Sequence, residues 1–139
     1  MGYVLDELDD IKDASQALSR IRIYISEYNG YKPMMWTNEK ASMLTDQYSW
    51  LIAGIAQKYS NNSEIMMEAI KFDADNIRYI GNNLINNVSF ILEAYSANPR
   101  ILDCLYGKEN LEKLRDILIS QKTQENNFEN SNEASNKKL

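Results

Sequence analysis

Residues 65–80 and 90–105 carry one pattern twice, 25 residues apart (65 to 90). Ile65-Met66-Met67-Glu68-Ala69-Ile70 aligns with Phe90-Ile91-Leu92-Glu93-Ala94-Tyr95. Asp73 aligns with Asn98, both helix-capping types, and Ile77 and Ile80 align with Leu102 and Leu105. Only the Glu and the Ala are identical, but the apolar class is kept at every expected core position. The pattern predicts a two-helix unit used twice, each copy burying its face against its neighbour. Two copies are too few for a free-standing solenoid, so other helices must cover the open end.

The front half supplies them. Val4, Leu8, Ile11, Ala14, Leu18, Ile21, Ile25 and Tyr28 recur at steps of three or four. That spacing predicts one long amphipathic helix over Tyr3–Tyr28, stopped by Asn29-Gly30. RIRIYIS (20–26) alternates like a strand, but the helical period runs through it on both sides. Tyr31–Trp36 reads as a loop holding Pro33, after which Thr37 can cap a second helix from about Asn38 to Tyr59. Its apolar line is Leu44, Tyr48, Leu51, Ile55 and Tyr59, and Gly54 inside it points to close approach of a neighbour. Short helices are expected over Glu64–Phe72, Ala74–Ile80 and Val88–Ala97, the last capped by Asn87. Asn98 caps the turn that opens with Pro99 and ends at Gly107. A final helix over Lys108–Ser120 buries Leu111, Leu114 and Leu118. From Gln121 the chain has one aromatic and no periodicity, which reads as a disordered tail. The expected fold is all-α: two long antiparallel helices on a layer of short ones, as one domain over 1–120 with a polar tail over 121–139.

Composition narrows the chemistry. The 139 residues hold 15 Lys+Arg against 20 Asp+Glu, a formal charge of −5, which argues against nucleic-acid binding. There is no His, so Cys–His and Ser–His nucleophilic arrangements are excluded. The single Cys, Cys104, excludes an internal disulfide and a multi-Cys zinc site, and it falls on an apolar line as a structural thiol would. A free thiol fits a reducing compartment. DADNIRYIGNNL, from Asp73, opens like a calcium loop but has Arg78 where Gly is required and Leu84 where the bidentate Glu belongs. Glu68 and Glu93 read as a solvated face rather than an acid–base pair. No apolar run is long enough to span a membrane, and Met1–Asp10 carries four acids, unlike a basic signal-peptide start. The expectation is a protein without catalytic residues, metal or cofactor, whose partner is another protein.

SEIMMEAIKFDADNIRYIGNNL and SFILEAYSANPRILDCL (residues 63–105) resemble a short helical repeat of the form EIVLEAVKQN–x–x–ALxYA–x–x–L. Its function is unassigned, and it is common in Legionella-type effector proteins. Pro99 and Cys104 depart from the pattern in the second copy. The Asn-rich composition and polar tail are also similar to substrates of a Dot/Icm-type secretion system. The resemblance implies a bacterial protein exported to the host cytosol. In size, acidity and helicity the chain is similar to the small helical inhibitors of ubiquitin-deamidating and ubiquitin-crosslinking effectors. That likeness implies a regulator that occludes the substrate surface of a partner enzyme. The other reading is a structural or adaptor protein acting as a homodimer.

Three surface features are candidate contacts. Asp6, Asp9, Asp10 and Asp13 form a stripe at helical spacing, readable as a solvated face that offsets the helix dipole or as a docking strip for a basic partner. Met34, Met35 and Trp36 place three large apolar side chains in a loop, to be folded into the core or shown to a partner. Ile23 lies on the polar face of the first helix with Lys12, Gln16, Ser19 and Ser26, where a self-association seam would use it.

Overall fold

The computed structural model describes residues 8–121, and every regular element among them is helical. Helix α1 spans Ala14–Tyr31 and helix α2 spans Glu39–Lys58, joined through a 3₁₀ turn at Lys32–Met34. Then come α3 (Ser63–Phe72), a 3₁₀ segment (Ala74–Tyr79), the single turn α4 (Asn82–Ile85), α5 (Val88–Ala97), a second 3₁₀ segment (Pro99–Cys104) and α6 (109–121). Among the described residues no helix is long and apolar enough to cross a membrane.

The front helix is not continuous. Asp13 is extended (φ −151°, ψ 173°) and caps α1, its side chain accepting from the Gln16 N–H at 2.8 Å. The Gln16 side chain reaches back to accept from the Lys12 N–H at 2.7 Å, so the two residues satisfy orphan donors reciprocally. The apolar period of Leu8, Ile11, Ala14 and Leu18 runs across this break because Leu8 and Ile11 are buried from the preceding turn. At the other end α1 passes through Asn29-Gly30, and packing explains why. Tyr28 meets Phe72 edge-on at 4.7 Å, and Tyr31 stacks on Tyr48 at 6.3 Å. These contacts carry the helix beyond its local stop signal. RIRIYIS is helical, with Ile21 and Tyr24 buried and Ile23 exposed.

Asn38, not Thr37, caps α2, its side chain accepting from the Ala41 N–H at 3.1 Å. The Lys58 Nζ donates to the Ile11 carbonyl at 3.5 Å, which brings the end of α2 back to the start of α1. Gly54 has the steric reason its position suggested. A Cβ there would stand 2.5 Å from the Leu8 Cδ1, so the missing side chain is the seat for Leu8.

Every boundary of α3 and its 3₁₀ segment recurs 25 residues on: 63 to 88, 72 to 97, 74 to 99 and 79 to 104. The caps recur as well. Asn62 and Asn87 accept from Ile65 and Phe90 N–H groups, and Asp73 and Asn98 accept from Asp75 and Arg100 N–H groups. Asn98 does more than its counterpart, because its Nδ2 also donates to the Ile70 carbonyl at 2.8 Å, tying the second segment to the end of α3. The inward positions differ in one place. Leu102 is only half-buried, and Ile101 is buried where the first segment has Asn76. Asn76 can turn inward because its Nδ2 donates to the Ala69 carbonyl at 2.8 Å. Gly107, at φ +85°, ends the second segment in the left-handed region that favours glycine, and beside it Arg78 lies over the Tyr106 ring at 5.0 Å.

Helix α6 buries Leu111, Leu114 and Leu118, as their spacing predicts. It remains helical at Gln121, the first residue of the expected tail over 121–139, and the rest of that tail lies outside the described residues.

The Gly81 position yields a stability test. A Cβ there would collide with the Asn61 carboxamide, whose Oδ1 accepts from the Asn83 N–H at 3.0 Å. Gly81→Ala is expected to displace that carboxamide and cost about 1–2 kcal/mol, read as a shift in the urea midpoint with unchanged slope.

Candidate functional site

The turn between α1 and α2 is tied by its own backbone. The Met35 N–H donates to the Lys32 carbonyl at 3.2 Å, and the Thr37 and Asn38 N–H groups both donate to the Met34 carbonyl, at 3.1 and 2.9 Å. Tyr31, at its start, stacks on Tyr48 of α2. On this frame Trp36 is 88% exposed and Met34 is exposed, while Met35 is half-buried. Of the three apolar loop residues, then, Met35 turns toward the protein and the other two face solvent. A hydrated indole on a preordered turn is a ready contact, since little ordering entropy is lost when it binds.

Two further exposed residues continue this edge. Met43 and Trp50 lie on α2 at 53% and 48% exposure. At about 100° per residue a seven-residue step returns to nearly the same face. Both stand off the line of buried Ala41, Thr45, Ile52 and Ala56. The only two tryptophans of the chain, Trp36 and Trp50, therefore both face solvent on the α1–α2 pair. The sequence signal for Met43 and Trp50 was their absence from the apolar line of α2.

The acidic stripe is corrected. Asp9 and Asp10 lie in a turn before α1, not on it, and the Asp13 carboxylate is engaged as the α1 cap; Asp6 lies outside the described residues. Asp9 and Asp10 are exposed. They sit at the opposite end of α1 from Trp36, and an 18-residue helix is about 27 Å long. The structure thus does not bring the acids and the apolar turn together. Ile23 lies between them at 53% exposure, in a shallow depression with Asp10, Ser15, Gln16, Ser19 and Arg20.

Cys104 lines a groove where the two 3₁₀ segments meet, with Asp73, Asp75, Asn98, Arg100 and Asp103. Burial raises its thiol from 9.0 to about 11, and the neighbouring Asp75, Asp73 and Asp103 add to the shift. That is the reverse of nucleophile activation. The folded thiol stays protonated where an unfolded one ionises. Its contribution to stability is therefore complete below pH 9.0 and is lost as pH rises through about 11. Iodoacetamide alkylation of the native protein is expected to rise with pH toward about 11, against 9.0 after denaturation. An inflection below 8 in the native protein would contradict this environment.

Glu68 and Glu93 line one groove with Glu64 and Arg22, whose guanidinium lies 3.9 Å from the Glu68 carboxylate, too far and too exposed for a strong pair. A larger open groove of about 560 Å³ runs between α4 and α6, over Ile85, Leu114 and Ile117. Among the described residues no three His, Cys, Asp or Glu are grouped to hold a metal ion.

No curated protein and no solved structure matches the chain. A family described as a domain of unknown function (DUF4116) matches residues 62–109. The matched span opens on the Asn62 cap, takes in both helix–3₁₀ pairs and ends on the first residue of α6; over that span, less than half its length, the chain is similar to DUF4116.

Proposed function

We propose that the protein is a non-enzymatic protein-binding regulator that inhibits a partner effector enzyme by covering its substrate surface. The observation that carries this reading is the 88% exposure of Trp36 on a hydrogen-bonded turn, flanked by exposed Met34. Tryptophan and methionine are favoured at contact surfaces, and an indole is a costly group to leave in water. In this reading residues 63–105 are two copies of one repeat that serve as a platform, and the α1–α2 pair laid on it forms the contact edge. Resemblance to the small helical inhibitors names the partner class as ubiquitin-deamidating or ubiquitin-crosslinking effectors. The protein would be made in the bacterial cytoplasm and act in the host cytosol after export.

The acidic turn at Asp9 and Asp10 has a limited part. With the length of α1, about 27 Å, between them, it lies several Debye lengths from Trp36 at physiological salt, where the Debye length is about 8 Å. It acts on a partner only if the partner lies along α1, and then chiefly on encounter rate. Reversing both acids to Lys is expected to slow association several-fold at low salt and leave dissociation unchanged, read by stopped-flow or surface binding kinetics. An unchanged association rate at low salt would remove these residues from the contact.

The test of the function is ubiquitin deamidation by a deamidating effector, with this protein titrated in. Stoichiometric loss of activity that excess ubiquitin relieves supports the proposal. Full activity at saturating protein contradicts it.

A further inference from the structure

We propose that the outer face of α2 pairs weakly with the α2 of a second copy, parallel and in register, through Met43 and Trp50. This surface adjoins the partner-binding edge but is tested on the purified chain alone, so its failure leaves the inhibition assay untouched.

The argument rests on how the exposed residues of α2 are laid out. Taking about 100° per residue, Met43 and Trp50 define the centre of the outer face. Glu39 and Asp46, seven apart, lie on one flank; Lys40 and Gln47, also seven apart, lie on the other. All four are exposed. A two-fold axis parallel to the helices sets each flank of one copy against the opposite flank of the other. In register, Lys40 then stands across from Glu39 of the second copy, and Gln47 across from its Asp46. Charge and hydrogen-bonding capacity are thus self-complementary around an apolar centre, which is what an isologous contact requires.

The antiparallel arrangement fails on the same residues. There a flank meets its own counterpart, so with Met43 at the centre Glu39 stands across from Asp46 twice, and both contacts repel. At the end of the face, Leu8 is seated on Gly54, so the pairing surface stops at Trp50. Two large side chains per copy, with their polar flanks, fall short of the roughly 800 Å² per partner of a stable interface. The association is therefore weak and concentration-dependent.

Sedimentation equilibrium on the full chain, up to about 1 mM, reads it directly. The parent is expected to be in reversible monomer–dimer exchange. Lys40→Glu and Glu39→Lys should each raise the dissociation constant about tenfold or more, and a one-to-one mixture of the two should recover the parent value. Circular dichroism and melting of each variant establish that they remain folded, as exposed sites allow. A parent that is monomeric throughout overturns the proposal, as do variants that dimerise like the parent. Tighter dimers of Glu39→Lys overturn the parallel geometry, since that change relieves the antiparallel repulsion.

Discussion

Ile77→Ala is expected to lower the unfolding free energy by about 3 kcal/mol, within the 2–5 kcal/mol typical of emptying such a site. Ile77 is fully buried in the first 3₁₀ segment, among the residues of the one continuous core. That segment contacts α3, α2 and the second 3₁₀ segment, so neighbours on several sides hold the cavity open. Against a total of about 5–15 kcal/mol the loss is large. Leu102→Ala makes the internal control. It stands 25 residues on, in the second 3₁₀ segment, but is only half-buried, so its cost should be about half as great or less. Equal costs at the two positions, read from urea midpoints, would show that the two 3₁₀ segments pack alike and that the burial of Ile101 in place of Leu102 has no energetic consequence.

Trp36→Ala is expected to separate stability from binding. With the side chain 88% exposed, its removal should move the unfolding free energy by no more than about 0.5 kcal/mol. If Trp36 anchors the partner, the same change costs about 2 kcal/mol or more of binding, roughly a thirtyfold weaker complex, mostly through faster dissociation. Iodide quenching checks the premise. Because Trp36 is 88% exposed and Trp50 48%, iodide should quench the native protein substantially, and Trp36→Ala should remove the more accessible share of the emission. A Trp36→Ala change that removes only a protected share would place Trp36 in the core and end the argument.

The helical class was legible because the apolar spacing is helical nearly everywhere and Gly and Pro are few. The caps at Asn87 and Asn98 were legible because each stands just before a helical run, where its side chain has a backbone donor two or three residues on. The break at Asp13 was hidden. Burial of Leu8 and Ile11 preserves the apolar period across it, and periodicity reports which residues are buried, not whether the backbone is continuous. The passage of α1 through Gly30 was hidden for the opposite reason. The Tyr28–Phe72 and Tyr31–Tyr48 contacts override the local signal, and neither partner is near in sequence. Gly54 announced a close neighbour, but nothing local named Leu8 as that neighbour.

The candidate site was legible in part. Trp36 and Met34 could be singled out as apolar residues in a loop, but two destinations were open for them until the hydrogen bonds onto the Met34 carbonyl fixed the turn. Met35 shares their chemistry and turns inward, a difference that no residue-type argument can supply. Asp13 shares the chemistry of Asp9 and Asp10 but is engaged as a cap, so the acidic stripe divides between local structure and free surface. Met43 and Trp50 needed the fold of α2, because seven-residue spacing has meaning only once the helix and its buried face are known.

The measurement closest to the central claim is the equilibrium dissociation constant for a ubiquitin-deamidating effector, determined by titration calorimetry on the parent and on Trp36→Ala side by side. The account predicts one-to-one binding by the parent and a complex about thirtyfold weaker or more for the variant, with the two proteins melting together. No binding by the parent, or equal dissociation constants for the two proteins, would contradict it.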